Sequence, residues 1–228
     1  MQVSKKISFS PKSALFLFSI TVLFLFFAGK RKKGAYHPFW VKLTRWMLKT
    51  AGWELEGPPP GPKKFVTVGA FHTSNWDLPA AVAMFVALDL RLSWMGKDSL
   101  FKGPFGPLFR VIGGVPIDRS KSQNAVEQAA EMFYECDDFV LAVAAEGTRS
   151  ERAYWKSGFY YIALKAQVPV HLGYADYKRK RLGIAPGFVP TGNIKADMDK
   201  VRAFYEGITP LHPQKKSRIR LKVEDKAA

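Results

Sequence analysis

From residue 65 onward, apolar runs of strand length alternate with stretches of helical period. FVTVGAF (65–71) and FVLAVAA (139–145) are short and almost uninterrupted, which predicts strands buried on both faces. LSWMG (92–96), GVPID (114–118) and VPVHLGYA (168–175) predict three more. LPAAVAMFVALDL (78–90) is apolar all round, with Pro79 at a helix start, and predicts a buried helix. Over 122–136, Val126, Ala129, Ala130 and Phe133 share one face while Glu127, Gln128, Glu131 and Glu135 lie elsewhere, the pattern of a surface helix. GFYYIALKA (158–166) predicts another helix, as does a stretch near 196–207 with Met198, Val201, Phe204 and Tyr205. KRKR (178–181) predicts a charged turn. Strands alternating with helices predict an α/β fold: one domain with a mostly parallel sheet flanked by helices.

The segment before this domain is patterned differently. Residues 14–28 (ALFLFSITVLFLFFA) carry no charge and are followed at once by Lys30, Arg31, Lys32 and Lys33. As a helix they would reach roughly 22 Å, short of the roughly 30 Å hydrocarbon core. A cleaved signal peptide is the competing reading, with Lys5, Lys6 and Lys12 as its basic end. Phe26, two before Ala28, is a poor match to small-x-small cleavage, and the basic run resembles a stop-transfer signal, so a retained membrane-anchoring helical segment is expected. In FWVKLTRWMLKTAGW (39–53), Phe39, Trp40, Leu43, Trp46, Met47 and Leu48 recur at helical spacing, with Lys42, Arg45 and Lys49 on the other side. Two arrangements suit that pattern: a helix lying in the lipid headgroup layer, or a helix packed on the core. EGPPPGPKK (56–64) reads as a rigid linker. The expected organisation is thus anchor and interfacial helix over 1–55, linker over 56–64, and the main domain over 65–228.

Charge sharpens this picture. The 228-residue chain carries a formal net charge of +16, of which 10 units fall before Glu54, where no acidic residue occurs. That leaves +6 for the remaining 175 residues. Positive charge bracketing apolar sequence points to an anionic membrane surface, and no nucleic-acid-binding motif is present. Cys136 is the only cysteine, so neither an intrachain disulfide nor a cysteine metal cluster can form. His37, His171 and His212 are scattered without partners at ligand spacing, so no metal or other cofactor is expected. His171, inside a strand-like run, reads as a core histidine.

Candidate chemistry collects at strand ends, where parallel sheets carry their functional loops. HTSNWD follows the first strand, MGKDSL the second, GGVPIDRS surrounds the third and AEGTRS follows the fourth. His72 and Asp77 are five apart and would diverge on a regular helix, but a strand-to-helix turn can fold the carboxylate back to the imidazole. Asp77 would then fix the tautomer and leave the other ring nitrogen to take a proton. Ser74 and Asn75 are equally natural as cap and turn residues. Gly147 permits a tight turn, Glu146 could orient a neighbour, and Arg149 and Arg119 supply forked cations suited to a phosphate. Surface ion pairs with Asp118 and Glu146 are the alternative for both arginines.

His72-x-x-x-x-Asp77 with Ser74, then Gly114-Val115-Pro116-Ile117-Asp118-Arg119, then Glu146-Gly147-Thr148-Arg149, then Val168-Pro169-Val170 resemble the four sequence blocks of the glycerolipid acyltransferase family, which includes 1-acylglycerol-3-phosphate acyltransferases. Lys97 and Lys156 through Gly158 resemble further family positions. The resemblance, covering about residues 65–175, implies acyl transfer from acyl-CoA or acyl carrier protein to a lysophospholipid hydroxyl at the cytoplasmic face of a membrane. It implies His72 and Asp77 as catalytic, and Ser74, Asn75, Lys97, Gly114, Arg119, Glu146, Gly147, Thr148, Arg149 and Lys156 as substrate-binding. No nucleic acid partner is implied.

Overall fold

A computed structural model of the chain describes residues 36–57, 63–111, 113–118 and 122–226. The apolar run 14–28, Lys30 to Lys33, the linker prolines at 58–60 and Arg119 lie outside the described residues. Seven strands form one sheet in the order β1-β7-β6-β2-β5-β3-β4. They are β1 (Glu54–Glu56), β2 (Lys64–Gly69), β3 (Leu92–Lys97), β4 (Gly114–Ile117), β5 (Phe139–Ala144), β6 (Val170–Asp176) and β7 (Arg181–Phe188). All neighbours pair in parallel except β6 and β7, which form an antiparallel hairpin through the basic turn at 177–180.

The uninterrupted apolar strands are the central ones. In β2, Phe65, Val66, Thr67 and Val68 are all buried because helices cover both faces. Val66, Val68 and Leu141 face a core closed by helices Ser122–Glu135, Gly158–Ala166 and Ile194–Glu206. Phe65 and Val140 face Met84 and Phe85 of helix Asp77–Ala87. The predicted helix at 78–90 stops at Ala87: the Leu90 amide turns back to Phe85 O, with Asp89 at φ 55°. Tyr205, fully buried, has its hydroxyl 2.8 Å from Val68 O and 2.9 Å from Gly173 O, so the last long helix is tied to the two central strands.

Among the elements not expected from sequence are β1, β7 and the short helices Asp98–Lys102 and Gly106–Val111. In β7 (RLGIAPGF), two glycines and Pro186 break the strand pattern. The proline is tolerated beyond Gly183, where pairing with β1 ends and that edge is open. β1 also corrects the expected linker boundary. Residues 54–56 pair with 181–183 and are part of the sheet, so the domain starts before residue 65.

Helix Pro38–Thr50 packs on this sheet layer rather than standing apart. Val41 and Thr44 are buried, Leu48 joins the core around Phe85, and Arg45 Nε donates to Ala87 O at 2.7 Å, capping the neighbouring helix. Phe39 and Trp46, seven residues apart and so on one side, stay 58% and 62% exposed. Among the described residues no helix is long and apolar enough to cross a membrane.

Gly114 opens β4 in a crowded position. A Cβ there would lie 2.5 Å from Phe109 O and 2.8 Å from the Phe101 ring, so packing requires a glycine at this position. Gly114→Ala should therefore destabilise the fold by about 1–3 kcal/mol. Thermal unfolding of the purified variant should show a melting point lowered by several degrees.

Candidate active site

The parallel pairing of β2 with β5 aligns Gly69 with Ala144, so the loops that leave these two strands start side by side. The first carries His72 and the second Glu146. Glu146 is only 2% exposed, and its Oε2 accepts the His72 backbone amide at 2.5 Å. The glutamate thus fixes the chain at the histidine. It does not present a charge to solvent. Burial raises its carboxyl above the ordinary glutamate range, opposed by the His72 amide, the Ser217 hydroxyl, the His72 charge and the Ser217 amide.

The His72 ring lies over Gly69: a Cβ on that glycine would be in ordinary contact with it, 3.5 Å from Nε2. Asp77 begins the helix that follows, and its buried carboxylate folds back over the connecting turn. Oδ2 accepts the amides of Thr73 at 2.7 Å and Ser74 at 2.8 Å, and Oδ1 accepts the Tyr177 hydroxyl at 2.9 Å. These donors, and not the His72 ring, are the hydrogen-bond partners of the carboxylate among the described residues. The turn folds the Asp77 carboxylate back, as the sequence suggested, but onto the amides of Thr73 and Ser74, next to His72 in the chain. Ser74 Oγ accepts the Trp76 amide at 3.2 Å, the turn role open to it from sequence, and Asn75 is exposed.

In the loop after β5, Gly147 has φ +63°, and a Cβ there would lie 2.6 Å from Lys156 Cε and Nζ. The positive φ calls for glycine here, and the end of the lysine lies across the space its missing side chain leaves. The Lys156 amide donates to Ala145 O at 2.7 Å, which holds the lysine beside this loop. Thr148 Oγ1 accepts the Ser150 amide at 3.4 Å. Arg149 is exposed and makes no ion pair among the described residues. Lys97 is exposed at the end of β3. His171 is a core residue: its Nδ1 lies 3.0 Å from Ala185 O, and burial lowers its basicity, with that contact opposing. Among the described residues no three His, Cys, Asp or Glu side chains are grouped to hold a metal ion.

His72, Asp77, Gly147 and Lys156 border a cavity of about 1530 Å³. One wall is the sheet face on which Thr67, Gly69, Ala142, Ala144, Gly173 and Ala175 lie, all small by the register of β2, β5 and β6. The facing wall is Leu78, Ala81, Val82 and Phe85 of helix Asp77–Ala87, one helical stripe. Pairing of β3 with β5 stops at Trp94–Ala142, short of both carboxyl ends. There the cavity also reaches Met95, Val143, Val126 and Tyr161 on the other face. Tyr177 was missed from sequence because it stands a hundred residues from its partner, between a predicted strand and a charged turn at 178–181.

The pH dependence of Glu146 has a defined sign. Because folding raises its pKa, the stability linked to it is fully present below the ordinary glutamate pKa and is lost as pH rises through the raised value. Glu146→Gln keeps an oxygen for the His72 amide and removes the titration. The variant should lose that fall in melting temperature with rising pH; an unchanged profile would show that another group titrates.

A model of the Acyltransferase family matches residues 59–171, a span that includes His72, Asp77, Glu146, Gly147, Arg149 and Lys156 but not Tyr177. No functionally curated protein matches the chain significantly. A similar solved structure is the crystal structure of PlsC, the 1-acyl-sn-glycerophosphate (LPA) acyltransferase from Thermotoga maritima. It is 21% identical, with 85% of this chain and 87% of that chain covered and a TM-score of 0.48. Residues 59–171 of this chain are thus an Acyltransferase-family domain, that of an acyl-transfer enzyme.

Proposed function

We propose that the enzyme transfers an acyl group from acyl-CoA or acyl carrier protein to the hydroxyl of a lysophospholipid, 1-acylglycerol-3-phosphate first among them. The observation that carries this reading is an imidazole set beside a long apolar cavity. The volume exceeds the roughly 300–1,000 Å³ of common small-ligand sites, and the lining suits a hydrocarbon chain. With the chain between the sheet and helix Asp77–Ala87, the thioester carbonyl would come to rest near His72.

His72 would then remove the proton from the acceptor hydroxyl as its oxygen attacks the thioester carbon. The tetrahedral intermediate collapses by breaking the carbon–sulfur bond, and the imidazolium returns its proton to the departing thiolate. Asp77 offsets the imidazolium charge at short range. Arg149, exposed and without an ion pair among the described residues, suits the acceptor's phosphate. Arg119 is proposed for the same role from its place in the sequence.

Membrane attachment at the cytoplasmic face is part of the proposal. Phe39 and Trp46 project from a helix whose opposite side is packed on the domain, and residues 14–28 would add an apolar anchor. The acceptor is a lipid, so a site held at the bilayer surface meets its substrate there.

Thiol release from acyl-CoA in the presence of lysophosphatidic acid, with product identified by mass spectrometry, tests the reaction. His72→Ala should lower turnover by about 10²–10⁴-fold while the protein stays folded. Turnover within a few-fold of wild type would sink the mechanism. Arg149→Lys keeps the charge but loses the planar fork, so KM for the acceptor should rise about tenfold with KM for the donor little changed. A change confined to the donor would reassign Arg149 to the carrier's phosphates.

A further inference from the structure

Tyr177 is the first residue after β6 and lies beyond the stretch that matches the family model. Its hydroxyl donates to Asp77 Oδ1 at 2.9 Å. Its ring stands edge-on to Trp53, with centroids 5.3 Å apart and an interplanar angle of 85°. Its amide donates to Thr209 O at 2.9 Å. Trp53 follows helix Pro38–Thr50 and is tied back to it through its own amide and Leu48 O at 2.8 Å. The tyrosine is therefore fixed by a strand end, by the helix of the amino-terminal segment and by the chain after helix Ile194–Glu206.

We propose that Tyr177 is a positioning residue for acyl transfer, holding the Asp77 carboxylate in the one orientation that serves His72. This rests on the reading of His72 as a base assisted by Asp77. Oδ2 is already occupied by two backbone amides, so Oδ1 is the oxygen left to act on the imidazole. A carboxylate with only Oδ2 held could still swing Oδ1 about that anchor. The tyrosine hydroxyl fixes the second oxygen, and an ionised carboxylate oxygen retains lone pairs for a further donor. Burial, then the negative charge of Asp77, push the hydroxyl well above the ordinary tyrosine range. It stays a donor at any working pH and takes no part in proton transfer.

Tyr177→Phe keeps the ring against Trp53 and removes only the donor. Its kcat should fall about tenfold, the scale of one hydrogen bond to a charged group, with KM for donor and acceptor within about threefold and the melting point little altered. In an Asp77→Asn background the same change should cost less than about twofold, since the charge it positions is gone. A kcat within twofold of wild type for Tyr177→Phe overturns the proposal, as does an equal tenfold loss in the Asp77→Asn background. If His72→Ala and Asp77→Asn themselves keep wild-type kcat, the base reading falls and takes this one with it. Large losses in both, beside an unaffected Tyr177→Phe, sink the tyrosine's role alone.

Discussion

The site depends on one buried hydrogen bond, from the His72 amide to Glu146 Oε2. It joins the loops leaving two adjacent parallel strands, which would otherwise be free to part at the sheet edge. A carboxylate buried this deeply disfavours its charged form unless donors reach it, and the His72 amide is the donor the fold supplies. The same bond fixes where the histidine backbone stands, so the ring above Gly69 inherits its position from the glutamate. Glu146 therefore acts on chemistry through the main chain.

The second carboxylate works in the opposite sense. Asp77 is buried at the start of a helix, and two backbone amides and a tyrosine hydroxyl surround it. These bonds shape the turn from β2 into the helix and fix the carboxylate against the backbone that follows His72. The helix that Asp77 begins is also the roof of the apolar cavity, so one element supplies both charge and lining. Small residues on the opposing strands keep the space open. Larger side chains at Gly69, Ala142, Ala144 or Gly173 would fill it.

Much of this was legible in the chain itself. Uninterrupted apolar runs such as FVTV and FVLAVA announce strands covered on both faces, and the structure places β2 and β5 at the centre. The strand-end stretches around His72 and Glu146 were visible as chemistry because polar residues and glycine interrupt apolar sequence there. The packing that requires glycine at 114 was not legible, since sequence cannot show that Phe101 and Phe109 close over it. β1 and β7 were invisible because a three-residue strand has no period and a strand with two glycines and a proline breaks its own.

The sequence by itself determined the alternation of strands and helices and the strand ends at which candidate acid–base residues stand. Local patterning suffices for these because they depend on periods of a few residues and on which side chains can carry a proton. Which oxygen of Asp77 meets which donor, how Glu146 reaches His72 and where a cavity opens were decided only by the tertiary structure. Those contacts join residues 74 and 100 positions apart, and strand order and register alone place them within hydrogen-bond reach.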